Sequence, residues 1–169
     1  MFDRSVRFLH QRKYTRFLAQ AAVIAAVYVV LTVVFAPFSF SEVQVRISEA
    51  LTILPVFTPA AVPGLTVGCL LGNIVGGAPL PDVVFGSLAT LFGAVGTWLL
   101  RKWKTVVAIL PPILSNMLII PFVLRYAYDL ELPIPLVMAS VGLGEVISCG
   151  VLGLLLHKAL LARSKDLFR

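Results

Sequence analysis

The chain has 169 residues, of which 59% are apolar and 13% charged, against about 45–50% and about 25% in a soluble domain. That composition, with a mean hydropathy of +0.98, excludes an ordinary cytosolic globule and a disordered chain. It predicts an all-α integral membrane protein. The net charge of +6 reads as a nucleic-acid signal only if the basic residues share a binding surface. Their positions give them another role.

From the N-terminus, Phe2 to Tyr14 sets Phe2, Val6 and Leu9 at helical spacing among basic residues. This segment is either an interfacial helix along the headgroups or a disordered basic tail. Phe17 to Phe38 holds no charge and is long enough to span, since a crossing needs about 20 apolar residues. Its apolar core exceeds the roughly 7–15 residues of a signal peptide and no A-x-A site follows, so it reads as a retained first helix. From Ala50 to Pro81 no charge occurs, but Pro55, Pro59 and Pro63 interrupt the run. Proline removes a helical donor and clashes with the preceding turn. The stretch therefore predicts a short second helix over Val45 to Phe57, a turn, and a third helix over Ala60 to Gly76. Val83 to Leu100, Thr105 to Leu124 and Pro133 to His157 complete a six-transmembrane-helix bundle.

Basic residues set the predicted orientation. Arg4, Arg7, Arg12, Lys13 and Arg16 precede the first helix; Arg101, Lys102 and Lys104 lie between the fourth and fifth; Lys158, Arg163, Lys165 and Arg169 follow the sixth. These three groups hold twelve of the fourteen Lys and Arg residues and fall on one side of a six-helix protein. Only Arg46 and Arg125 are left for the other side, with Glu42, Asp129 and Glu131. The positive-inside rule makes the basic side cytoplasmic, with both termini inside. The expected organisation is a basic segment at 1–14, a membrane domain at 15–158 and a basic tail at 159–169. The pI of about 9.8 is then explained by topology and anionic lipid, with the bilayer as partner and no nucleic acid.

Small residues mark packing faces. Gly64, Gly68, Gly72 and Gly76 repeat every four residues, and Ala21 with Ala25 and Ala22 with Ala26 form two A-x-x-x-A pairs. Such stripes let backbones approach closely in lipid, within the bundle or against a separate membrane protein. Cys69 and Cys149 lack zinc or CxxC spacing and read as packing residues. There is no P-loop and no H-E-x-x-H, and His10 and His157 lie near the chain ends. The sequence thus points away from an enzyme, and no cofactor or metal site is expected.

Ionisable groups at membrane depth are functional candidates by default. Glu145 lies about twelve residues into the sixth helix, roughly 18 Å from its outer end at 1.5 Å per residue. Asn116 lies at similar depth in the fifth. Asn73 sits in the third helix. Arg46 and Glu49, three apart in the second, are either an ion pair or ligand groups. Asp82 is either an N-cap or a ligand group. Glu145 has no basic residue at its depth, so it is protonated, hydrogen-bonded or waiting for a ligand.

Three stretches carry a family resemblance. Gln44 to Leu51 (Q-V-R-I-S-E-A-L) with Leu54-Pro55, Gly72-Asn73-Ile74, and Asp82 to Thr90 (D-V-V-F-G-S-L-A-T) resemble the QueT family of S-components. S-components are the substrate-binding subunits of energy-coupling factor (ECF) transporters. The resemblance runs from about Thr15 to His157. It implies a six-helix bundle with an outer-side pocket for a queuosine precursor, a 7-deazaguanine such as preQ1, or queuine. It implies docking through the A-x-x-x-A residues, Ala21 and Ala25 or Ala22 and Ala26, onto an EcfT-like transmembrane coupling protein with two ABC ATPases. A carboxylate would accept N1–H and the exocyclic amine of the base as a bidentate pair. Glu49 or Glu145 suits that edge, Glu49 or Asp82 an ammonium, and Asn73, Asn116 or Arg46 the ring acceptors. Phe85, Phe38, Phe40, Tyr126 and Tyr128 are the candidates for stacking. Other readings from the residues are an S-component for a different vitamin-like ligand, an assembly protein pairing through the Gly64–Gly76 face, and a proton-coupled carrier using Glu145.

Overall fold

The computed structural model describes residues 2–35 and 45–163, with side chains from residue 11 onward. The expected loop residues Phe38, Phe40 and Glu42, the tail residues Lys165 and Arg169, and the side chains of Arg4 and Arg7 lie outside it. Helix α1 runs over Phe2–Val34. A 3-10 helix follows at Ile47–Val56. Then come α2 (Ala61–Val75), α3 (Leu80–Leu99), the single turn α4 (Thr105–Ala108) and α5 (Leu110–Ala127). The last apolar run is α6 (Ile134–Glu145), a π-helical segment (Val146–Leu152) and α7 (Gly153–Leu161). Among the described residues every regular element is helical.

The six apolar runs of the sequence are all helical, and four are long and apolar enough to cross a membrane: Gln11–Val34, Leu80–Leu99, Thr105–Ala127 and Ile134–Leu161. The second and third runs form the shorter helices Ile47–Val56 and Ala61–Val75. Several boundaries differ from expectation. The basic segment before Thr15 continues α1 without a break, so at the backbone it is neither a separate interfacial helix nor a tail. Helix α3 starts at Leu80, with Pro81 in its first turn. Asp82 is therefore inside the helix rather than capping it, and it makes no side-chain cap bond.

The 3-10 helix is the centre of the molecule. It contacts α1, α2, α3, the π segment and α7, and Ser48 to Pro55 are all buried. A 3-10 helix rises about 2.0 Å per residue and eclipses positions three apart. Arg46, Glu49 and Thr52 thus rise along one edge. The Thr52 hydroxyl donates to the Glu49 carbonyl at 2.6 Å, and Pro55 supplies no N–H. Both features favour the tighter turn over a regular α-helix.

Helix α1 packs on α2 through the glycine stripe. A Cβ on Gly64 would lie 2.8 Å from the Ala21 carbonyl oxygen, and one on Gly68 would lie 2.7 Å from Tyr28 Cβ. Gly72 meets Thr32 in the same way, at 3.2 Å. The stripe is thus covered by α1 of the same chain, which removes the surface that an assembly protein would use. Gly76 caps α2 instead of joining the contact. On the other side of the bundle, α3 packs on α5, with Gly93 against Pro112.

Candidate functional site

Among the described residues, the buried charged side chains are Arg46, Glu49, Asp82 and Glu145. They form two groups. In the first, Arg46 Nη2 pairs with Asp82 Oδ2 at 3.1 Å. The Tyr128 hydroxyl donates to the same oxygen at 2.8 Å, and Asn73 Nδ2 donates to the Asp82 carbonyl at 3.1 Å. Burial, reinforced by Asp82, pushes the Tyr128 hydroxyl above its ordinary range, so it remains a donor. This group joins the entry to the 3-10 helix, α2, α3 and the end of α5 in one charge-balanced network.

The second group joins Glu49 and Glu145. Tyr28 of α1 donates its hydroxyl to Glu49 Oε1, and the Thr90 hydroxyl of α3 donates to the same oxygen at 3.4 Å. Asn116 Nδ2 of α5 donates to Glu145 Oε1 at 2.8 Å. The Cys149 thiol donates to Glu145 Oε2 at 3.1 Å. It also lies 3.5 Å from the Glu49 carbonyl and 3.3 Å from the Thr52 hydroxyl. Glu49 Oε2 is buried and has no donor. The ligand atoms of Glu49, Glu145 and Cys149 all lie within 4.8 Å of one another, a donor set able to hold a metal ion.

Cys149 therefore departs from the expectation of a packing residue far from any other ligand group. The fold brings it to Glu49 across a separation of 100 residues, which spacing could not reveal. Its place also depends on the π segment, a helical irregularity that recurs at functional sites. Tyr28, Thr90 and Cys149 are the polar members missed in the sequence. Tyr28 alone had a visible signal, a hydroxyl in the middle of an otherwise apolar span.

Of the expected site residues, seven are brought into the two groups: Arg46, Asp82, Asn73 and Tyr128 in one, Glu49, Asn116 and Glu145 in the other. Phe85 joins neither. It is 50% exposed, because the inward arc of α3 is taken by Asp82, Gly86, Ala89 and Thr90. Phe85 instead lines an apolar groove of 380 Å³ with Pro81, Leu118, Phe122 and Tyr126. Tyr126 is likewise turned outward, at 77% exposed, whereas Tyr128 turns in to Asp82. The two alanine pairs are also separated. Ala25 is buried and Ala21 half-buried against α2, while Ala22 and Ala26 are exposed.

The profile of the QueT transporter family matches residues 18–162. A queuosine precursor transporter QueT of Lactococcus lactis subsp. cremoris (strain MG1363) is 33% identical over 86 residues, 49% of this chain and 50% of that protein. The match thus spans half the length of the curated relative. No solved structure matches the chain. The family match covers most of the chain, including both polar groups, and the chain belongs to the QueT transporter family.

Proposed function

We propose that this multi-pass membrane protein is the substrate-binding subunit of an ECF-type importer, taking up a queuosine precursor with ATP hydrolysis on partner subunits. The observation that carries this reading is the Glu49–Glu145–Asn116 cluster. Three carboxylates and one guanidinium are buried, and the guanidinium is paired with Asp82. Among the described residues, no ion pair is seen for the remaining two carboxylates. A 7-deazaguanine offers them N–H donors, and an aminomethyl arm as in preQ1 offers a positive charge. Charge-assisted bonds of this type are the strong ones. A buried carboxylate also rejects bases without those donors, because it would stay unpaired.

In this reading Glu49, Glu145 and Asn116 touch the ligand. Arg46, Asp82 and Asn73 hold the walls, and Phe85 faces lipid. The six apolar segments cross the membrane with both termini in the cytoplasm, as the clustering of basic residues favours. The docking register on α1 is Ala22–Ala26. That pair is open on the outside of the bundle, while Ala21 and Ala25 are covered by α2. An EcfT-like coupling protein with two ABC ATPases would seat there. The ligand then binds without energy input, and hydrolysis on the partners drives its release inward.

Calorimetric titration of the detergent-purified chain with preQ1, preQ0, queuine and guanine, with riboflavin as control, tests this reading. Binding of a deazapurine and not of riboflavin is expected. Folded protein that binds no deazapurine contradicts it.

A further inference from the structure

The two carboxylates of the cluster are not equivalent. Glu145 has a donor on each oxygen, Asn116 on one and Cys149 on the other. Glu49 has both of its donors, Tyr28 and Thr90, on Oε1, and none on Oε2. Buried polar atoms in native proteins are nearly always paired, and an exception calls for a physical reason. The surroundings of Glu49 are otherwise closed. Its carbonyl accepts from Thr52, and the neighbouring Ser48 hydroxyl accepts from Thr32 at 2.9 Å.

Resting on the ligand reading above, we infer that Glu49 Oε2 is the atom that receives the ligand's N–H edge, and that Tyr28 and Thr90 are positioning residues that hold Glu49 for it. An oxygen that already accepts two hydrogen bonds has both lone pairs in use. Tyr28 and Thr90 therefore fill Oε1 and leave Oε2 to the ligand. The two donors come from different helices, α1 and α3, so the carboxylate is fixed from two directions. Tyr28 is itself held firmly. It is 1% exposed, and its Cβ rests on Gly68, where even one added methyl group would come within 2.7 Å. Glu145, with both oxygens engaged, is not the main reader of the edge.

The test is calorimetric titration of preQ1 into the wild type, Glu49→Gln, Glu145→Gln, Tyr28→Phe and the double variant Tyr28→Phe/Glu49→Gln. A site built to bond a polar group discriminates strongly when that bond is lost, so Glu49→Gln weakens binding about a hundredfold. On the same principle Glu145→Gln costs less than about tenfold. Tyr28→Phe costs about tenfold in the wild-type background and under about twofold in Glu49→Gln, because residues acting through one another are not additive. Should Glu49→Gln fail to elute as a folded species, Thr90→Val takes its place with an expected loss of about threefold for one neutral hydrogen bond. A larger loss in Glu145→Gln than in Glu49→Gln overturns the assignment. So does an equal Tyr28→Phe loss in both backgrounds, which marks a merely structural role, or an unchanged affinity in Thr90→Val. A wild type that binds preQ1 while Glu49→Gln binds it equally well overturns this inference alone. A folded wild type that binds no deazapurine overturns the proposed function as well.

Discussion

The two buried polar groups differ in the completeness of their charge pairing. Arg46 and Asp82 balance each other's charge, and Tyr128 and Asn73 add donors to Asp82. Among the described residues, Glu49 and Glu145 share a site with no ion pair, and Glu49 Oε2 has no donor. Taking charges out of water is costly in both cases. The first group offsets that cost from within, so it can serve as framework across four elements. In the proposed reading, the second is completed by the ligand. In an apolar chain, then, the presence of buried charge does not by itself distinguish scaffold from site, whereas the unmet demand does.

Breaking the complete group should have the largest effect. Asp82→Ala leaves Arg46 buried without its partner, and losses of about 3–5 kcal/mol are usual for such changes. A thermal unfolding scan in detergent should show the largest fall of any single variant. Arg46→Met with Asp82→Leu should recover most of it, since a packed apolar pair often replaces a buried ion pair at little cost. A neutral Asp82→Ala would remove the distinction between the two groups. Next comes Gly68→Ala, which drives a methyl into Tyr28 and should cost about 1–3 kcal/mol by overpacking. It should also weaken preQ1 binding, because it displaces the phenol that holds Glu49; loss of stability with unchanged affinity would argue against that link.

Smaller effects sharpen the reading of the incomplete group. If its unbalanced charge selects the ligand, preQ1 should bind at least about tenfold more tightly than preQ0, which is about 1.4 kcal/mol, because the nitrile carries no positive charge. Equal affinities in calorimetry would show that charge plays no part. The smallest expected change in stability is that of Ala22→Leu, under about 0.5 kcal/mol for an exposed site. The same variant should nonetheless abolish co-purification with the coupling protein. Ala25→Leu should reverse the pattern by destabilising the α1–α2 contact. Intact assembly with Ala22→Leu would return the docking surface to the other register.

Much of the fold was legible because membrane helices announce themselves in long apolar runs and prolines. Five of the six helical segments lie within a few residues of where the sequence placed them, while the first begins at Phe2 and not at Phe17. Less legible was backbone type. Pro55, Pro59 and Pro63 marked interruptions, but the proline pattern alone did not distinguish a 3-10 helix at Ile47–Val56 from an α-helix, and the Thr52–Glu49 bond that favours the tighter turn shows only in the fold. The π segment was equally hidden. Depth and polarity named Glu49, Asn116 and Glu145 as candidates, since an ionisable group in lipid needs a reason, and the fold gathers the three in one polar group. Depth could not say that Arg46 would pair with Asp82, or that Cys149 would reach Glu49. Those contacts arise between elements far apart in the chain. Phe85 was named as an aromatic candidate for stacking, and its outward place on α3, away from both polar groups, comes from the helix arc that Asp82, Gly86, Ala89 and Thr90 occupy. The alanine register was undecidable from spacing, as both pairs share it; the fold covers Ala21 and Ala25 with the glycines of α2 and leaves Ala22 and Ala26 exposed.

The central claim is that the incomplete carboxylate cluster, and not the complete ion pair or the outer groove, is where the ligand sits. An experimental structure of the chain with bound preQ1 tests it most directly. The account predicts ligand nitrogens at about 3 Å from Glu49 Oε2, a normal hydrogen-bond distance, with Glu145 and Asn116 beside the base and the Arg46–Asp82 pair intact. Ligand seated in the groove of Pro81, Phe85 and Phe122, or displacing Asp82 from Arg46, would contradict it.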